Sequence, residues 1–111
     1  MTSNKLGGLL GMCRRCGRLV TGFDAVAALC GTSALLMLAS DASPRTTKEL
    51  LFRAARHRVY RLPMTKDEIA RALGSQKPIA CLATEDSGFA NAIRPLCSLF
   101  HDLEEESHYD D

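Results

Sequence analysis

The sequence has no tryptophan, only six aromatic residues and only four prolines, so any core must be built from Leu, Ile, Val, Met and Ala rather than from large rings. Long apolar runs are missing as well: stretches such as residues 34–39 are far shorter than the roughly 20 residues a membrane helix needs. Residues 1–10 hold one Lys and a broken, Gly-rich apolar run, followed by Arg14-Arg15 with no small-residue cleavage site, so no export signal is expected. Five cysteines is an odd number at uneven spacing, which argues against a disulfide framework and for a reducing, cytoplasmic setting. The sequence also lacks GxSxG, HExxH and GxxxxGK[ST], and with them the common marks of a nucleophile elbow, a zinc protease and a phosphate loop.

What is present is ordinary globular composition, 46% apolar and 24% charged in 111 residues, enough for one core and hardly for two. The net charge of +1 conceals an asymmetry. Fourteen Lys and Arg against seven acids up to residue 100 leave the body at +7, while six acids in the last eleven positions make the tail −6. A basic body points to a polyanion partner. Ten of the cations are Arg, the better binder of phosphate and base edges.

Leu6, Leu9, Leu10 and Cys13 recur at helical spacing, predicting a first helix from Asn4 to Cys16 that stops at Gly17. Arg18-Leu19-Val20-Thr21 reads as a short strand, and Phe23, Val26, Ala27 and Cys30 as a helical stripe running to Gly31. Residues 34–39 are continuously apolar, as in a strand buried on both faces and central in a sheet. A helix opening at Pro44 or Arg45 runs to about Arg56, with Leu50, Leu51 and Ala54 inward and Lys48, Arg53 and Arg56 outward. After the strand Val59-Tyr60-Arg61-Leu62, Thr65-Lys66-Asp67-Glu68 forms a capping box for a helix that ends at Gly74. Ile79-Ala80-Cys81-Leu82-Ala83 is a further strand. Ser87 is the expected cap of a last helix with the stripe Phe89, Ile93, Leu96, Cys97 and Phe100, kinked at Pro95. Alternating helices and strands predict a single α/β domain over residues 1–100, a three-layer α/β/α sandwich around a four-stranded mixed sheet. Residues 101–111 form an acidic tail expected to be disordered.

Candidate chemistry is sparse. Cys13 and Cys16 have CxxC spacing, half of a zinc site or a redox pair, but no second CxxC or CxxH exists and the pair ends a helix, so thiols packed on or beside an apolar helical face are the plainer reading. His57 stands between Arg56 and Arg58 at a helix end, where it reads as a solvated charge rather than a base. Asp67-Glu68 and Glu85-Asp86 stand at helix starts, where acids offset the dipole. No catalytic residue, metal or cofactor is assigned. What remains is cationic surface, Arg14, Arg15 and Arg18, leading into Thr21-Gly22 at the start of the second helix, where free N–H groups can hold phosphate.

The series Arg18-Leu19-Val20-Thr21-Gly22, Leu36-Met37-Leu38-Ala39-Ser40-Asp41-Ala42-Ser43-Pro44, Leu62-Pro63-Met64-Thr65-Lys66-Asp67-Glu68-Ile69, Ala72-Leu73-Gly74 and Lys77-Pro78-Ile79-Ala80 resembles the kink-turn-binding ribosomal protein family of large-subunit proteins seven-Ae and thirty-e, in its small bacterial YlxQ-like branch. The resemblance runs over about residues 4–100 and implies the same α/β/α sandwich. It also implies an RNA surface made of the turn and helix start at residues 21–28 and the loop at 74–79, with Asp41 to Pro44 nearby. On this sequence those positions are Thr21, Gly22, Phe23, Asp24, Asp41, Gly74, Lys77, Pro78 and Ile79. Where binders resemble Gly-x-Asn-Glu-x-x-Lys, this chain has Gly22-Phe23-Asp24-Ala25-Val26-Ala27-Ala28, so only the glycine matches and base readout is expected to be weak or altered.

The resemblance therefore implies a non-catalytic, monomeric, cytoplasmic protein of translation or ribosome maturation. Its partner would be structured RNA, with ribosomal RNA a candidate, and neither DNA nor membrane. The alternative is a protein-interaction module on the same fold that uses Phe23, Ala25 and Val26.

Overall fold

The computed structural model describes residues 2–54 and 57–100. Residues 101–111, the expected acidic tail, and Arg56, the expected end of the third helix, lie outside them. The elements are α1 (Thr2–Arg15), β1 (Val20–Thr21), α2 (Phe23–Ala27), β2 (Leu35–Leu38), α3 (Pro44–Ala54), β3 (Val59–Arg61), α4 (Lys66–Leu73), β4 (Cys81–Thr84), α5 (Ser87–Ile93), a 3-10 turn (Arg94–Leu96) and β5 (Ser98–Leu99). The described residues thus form one α/β domain around a mixed sheet of five strands, where four are expected from the sequence.

Strand order is β1-β4-β2-β3-β5, with β2 and β3 parallel and the other pairs antiparallel. The run at 34–39 is central, as its composition requires: β2 pairs with β4 on one side and β3 on the other, and all six residues of the run are buried. Because side chains alternate along a strand, Leu35, Met37 and Ala39 enter one core cluster while Leu36 and Leu38 enter the other. The first cluster holds Leu6 and Leu10 of α1, Ile69 and Leu73 of α4, and Ala90 and Ile93 of α5. The second holds Val26 of α2 and Leu50 and Ala54 of α3. Each fully buried Leu or Ile contributes about 1.5–3 kcal/mol, so the sheet is held from both faces.

The fifth strand corrects the reading of the C-terminal segment. Pro95 cannot donate into a helix, and the chain leaves α5 at Ile93 through a 3-10 turn. Ser98 and Leu99 then pair with Arg61 and Tyr60, so Leu96, Cys97 and Phe100 do not continue a helical stripe. The cap of α5 is Asp86, not Ser87: its Oδ1 accepts from the Phe89 N–H at 2.9 Å. α2 is shorter than its stripe suggests, because Leu29 and Cys30 donate to Val26 and Ala27, three residues back, and the chain tightens into turns. The Thr65/Glu68 capping box and the left-handed Gly74 at the end of α4 form as expected.

His57 differs from its sequence reading. Its Nδ1 accepts from the Gly31 N–H at 3.4 Å and its Nε2 donates to the Ala34 carbonyl at 2.6 Å, so the half-buried ring ties the entry of β2 to the segment after α3 instead of extending into solvent.

Candidate functional site

Four separate loops meet at one end of the sheet. The N–H of Gly22, just past β1, donates to the carbonyl of Cys81, the first residue of β4. The carbonyl of Met64 accepts from Ser40 after β2, and the Lys66 N–H donates to Asp41 Oδ1 at 2.8 Å. Ile79 N–H in turn reaches the Lys66 carbonyl at 3.3 Å. Four strand ends and their loops are therefore stitched together by backbone donors, which fixes residues 21–24, 39–44 and 77–80 as one rim.

Within that rim the side chains divide. Thr21, Gly22, Asp24, Lys77 and Pro78 are exposed. Gly22 has φ 97° and ψ 149°, a conformation that only glycine adopts without strain, and no side chain caps the first turn of α2 behind it. Phe23 is half-buried against the α2/α3 core, with the Arg53 guanidinium 5.4 Å above its ring. Ile79 is a correction: its side chain is buried in the other core cluster and is not presented to a ligand. Asp41 is exposed but spends Oδ1 on the first turn of α4, and Gly74 serves as the end cap of that helix.

The cations expected beside Gly22 are elsewhere. β1 runs from the Arg18 side to the Gly22 side, and its partner β4 runs the opposite way. Gly22 therefore sits at the start of β4, while Arg18 Nε lies 3.8 Å from Asp86 Oδ2, beyond its end. Four residues of extended chain separate the two backbones by about 13 Å. Arg14 donates from Nη1 to the Leu73 carbonyl at 3.0 Å, closing the C-terminus of α4, where a cation also opposes the helix dipole. Arg15 lines a groove between α1 and α4 with Gly7, Gly8, Gly11 and Arg71. There Ala72 comes so near that a Cβ on Gly11 would stand 3.4 Å from its carbonyl oxygen. Sequence adjacency of Arg14, Arg15 and Arg18 to Gly22 does not become spatial adjacency, because the strand carries the chain from one end of the sheet to the other.

The thiols follow burial. Cys13 is buried and its Sγ donates to Thr84 Oγ1 at 3.6 Å, whereas Cys16, three residues on, is exposed. Burial pushes the Cys13 thiol up, with the Thr84 hydrogen bond opposing, and pushes those of Cys81 and Cys97 up to about 11. A thiolate pair is thus not presented as a unit. Among the described residues no group of three or more His, Cys, Asp and Glu stands close enough to hold a metal ion, and no helix is long and apolar enough to cross a membrane.

Sequence reasoning misses Phe52, which is 84% exposed on α3. A signal for it exists: if Leu50, Leu51 and Ala54 face inward, the 100° helical step puts Phe52 on the charged side.

No protein-family model matches the chain, and no curated protein matches it. Among solved structures it is similar to a protein of unknown function from Bacillus halodurans C, with 28% identity and a TM-score of 0.71 over 83% of this chain and 95% of that one.

Proposed function

We propose that the chain is a non-catalytic RNA-binding protein of the kink-turn-binding ribosomal protein type, acting as a cytoplasmic monomer on structured RNA in translation or ribosome maturation. In this reading β1-β4-β2-β3 is the four-stranded unit of a three-layer α/β/α sandwich, and β5 is an added edge. The observation that supports it is the rim itself. The segments 21–28 and 74–79 that the resemblance makes the RNA surface, and 41–44 expected nearby, are far apart in sequence and are joined by the Gly22–Cys81, Lys66–Asp41 and Ile79–Lys66 hydrogen bonds. The +7 body supplies the attraction for phosphate.

Asp24, Ala25 and Ala28 are exposed on or just past α2, where base readers would carry amide, carboxylate and ammonium. Their identity favours weak base readout, and it is also what a protein-binding end would look like. That alternative loses Val26, which is fully buried.

The test is binding of the full chain to a kink-turn RNA and to a plain duplex of equal length, at two salt concentrations. A preference of tenfold or more, about 1.4 kcal/mol, supports kink-turn recognition. Equal binding that falls together as salt rises overturns it and leaves a generic polyanion binder. Removing residues 101–111 takes away six acids and should raise RNA affinity; on the protein-binding reading it does nothing or abolishes binding of the protein partner.

A further inference from the structure

We infer that the outer face of α3 is a second RNA contact, in which Arg45 and Lys48 hold phosphates and the Phe52 ring stacks on an unpaired base. This rests on the RNA reading above and extends it to a surface outside the loop rim.

Leu50 and Ala54 face the core, so the 100° helical step places Arg45, Lys48, Glu49 and Phe52 on the opposite side, with Arg53 at its flank. From Arg45 to Phe52 the strip is about 10 Å long. Its charge is positive: α3 carries three cations and one acid, Glu49, whose 3.3 Å pair with Arg45 leaves the Arg side chain 90% exposed and so costs little to exchange for phosphate.

Phe52 stands alone. The other exposed large apolar side chains among the described residues, Met12 and Val20, lie on α1 and β1. With no second large, exposed apolar side chain on α3 among the described residues, the ring by itself is a small apolar centre for a protein interface. An isolated ring among cations is instead the arrangement that single-stranded nucleic acid uses, one base face on the ring and the backbone on the charges. The strip is also continuous with the rim. α3 begins at Pro44, directly after the Asp41 loop, and Arg53 reaches back over Phe23 beside Gly22. A strand leaving a structured RNA held at the rim meets Arg45 first, then Lys48 and Phe52.

The experiment uses a kink-turn stem-loop, either blunt or carrying a six-nucleotide uridine overhang on one strand or the other. The protein is the full chain as wild type, Phe52→Ala, Lys48→Glu and Phe52→Trp. The wild type should bind one overhang form more tightly than the blunt form. Phe52→Ala should lose about tenfold on that form with blunt binding unchanged, and Lys48→Glu should lose as much and flatten the salt dependence. Phe52→Trp supplies the only tryptophan in the chain, and its emission should be quenched by the overhang RNA and not by the blunt one. Equal binding of blunt and overhang forms, or a Phe52→Trp emission that overhang RNA leaves unchanged, overturns the inference while the RNA reading stands. Failure of every RNA to bind overturns both. An emission shift in the Phe52→Trp chain that depends on protein concentration without RNA overturns the inference in favour of contact between copies of the chain.

Discussion

Alanine at Gly22 and alanine at Gly8 should change stability in opposite directions, although the added methyl group meets open space at both. An ideal Cβ on either residue has no heavy atom within 4 Å, so neither substitution clashes with or fills anything. The difference is in the backbone. Gly22 sits at φ 97°, ψ 149°, where a Cβ costs about 1–3 kcal/mol of strain. Gly8 lies inside α1, where replacing glycine gains about 0.5–1 kcal/mol by removing freedom from the unfolded chain. The two variants should therefore differ by about 1.5–4 kcal/mol, with the wild type between them. At roughly 4–8 °C per kcal/mol for a domain of this size, the melting temperatures separate by more than about 6 °C. With no tryptophan as a probe, urea unfolding is followed by far-ultraviolet circular dichroism, reading the midpoint at constant slope. If Gly22→Ala melts within about 2 °C of wild type, the positive φ is not built into the turn and the rim does not require a glycine.

Two further predictions concern caps and thiols. Asp86→Ala should cost about 1 kcal/mol in urea unfolding by freeing the Phe89 N–H, while Ser87→Ala stays within about 0.5 kcal/mol; the reverse order would restore Ser87 as the cap. Iodoacetamide should label exposed Cys16 in the native chain and reach Cys81 only on unfolding; native labelling of Cys81 at the rate of Cys16 refutes its burial. The raised thiol pKa of Cys81 means that the unfolded chain ionises first. Its contribution to stability is intact below pH 9 and is lost between pH 9 and about 11, by about 1.4 kcal/mol per unit. A stability rising over that window would contradict the sign.

Local chemistry was legible wherever a residue acts on its immediate neighbours. Thr65 and Glu68 cap α4 within one turn, Gly74 ends it, and six consecutive apolar residues between polar flanks fit a strand covered on both sides. Illegible were features set by direction and distance. Nothing in Arg14-Arg15-x-x-Arg18 states that β1 will carry the chain away from these side chains before Gly22 is reached. β5 is two residues long, too short for any periodicity, and its existence depends on pairing with Tyr60 and Arg61, roughly forty residues earlier in the chain. Asp86 and Ser87 are both good caps, and only the turn after β4 decides between them. In the candidate site, Thr21, Gly22, Asp24, Lys77 and Pro78 are exposed on the rim, while Ile79 is drawn inward by its place before a buried strand.

The two edge strands, β1 and β5, are two residues each. An edge that short offers at most one or two unpaired backbone groups, too few to template another strand. Among the described residues both edges are thereby poor templates for a partner that adds a strand, and for stacking of the chain on itself. These edges favour binding through loops and side chains, where a point substitution on the surface changes specificity without touching the hydrogen-bonded frame.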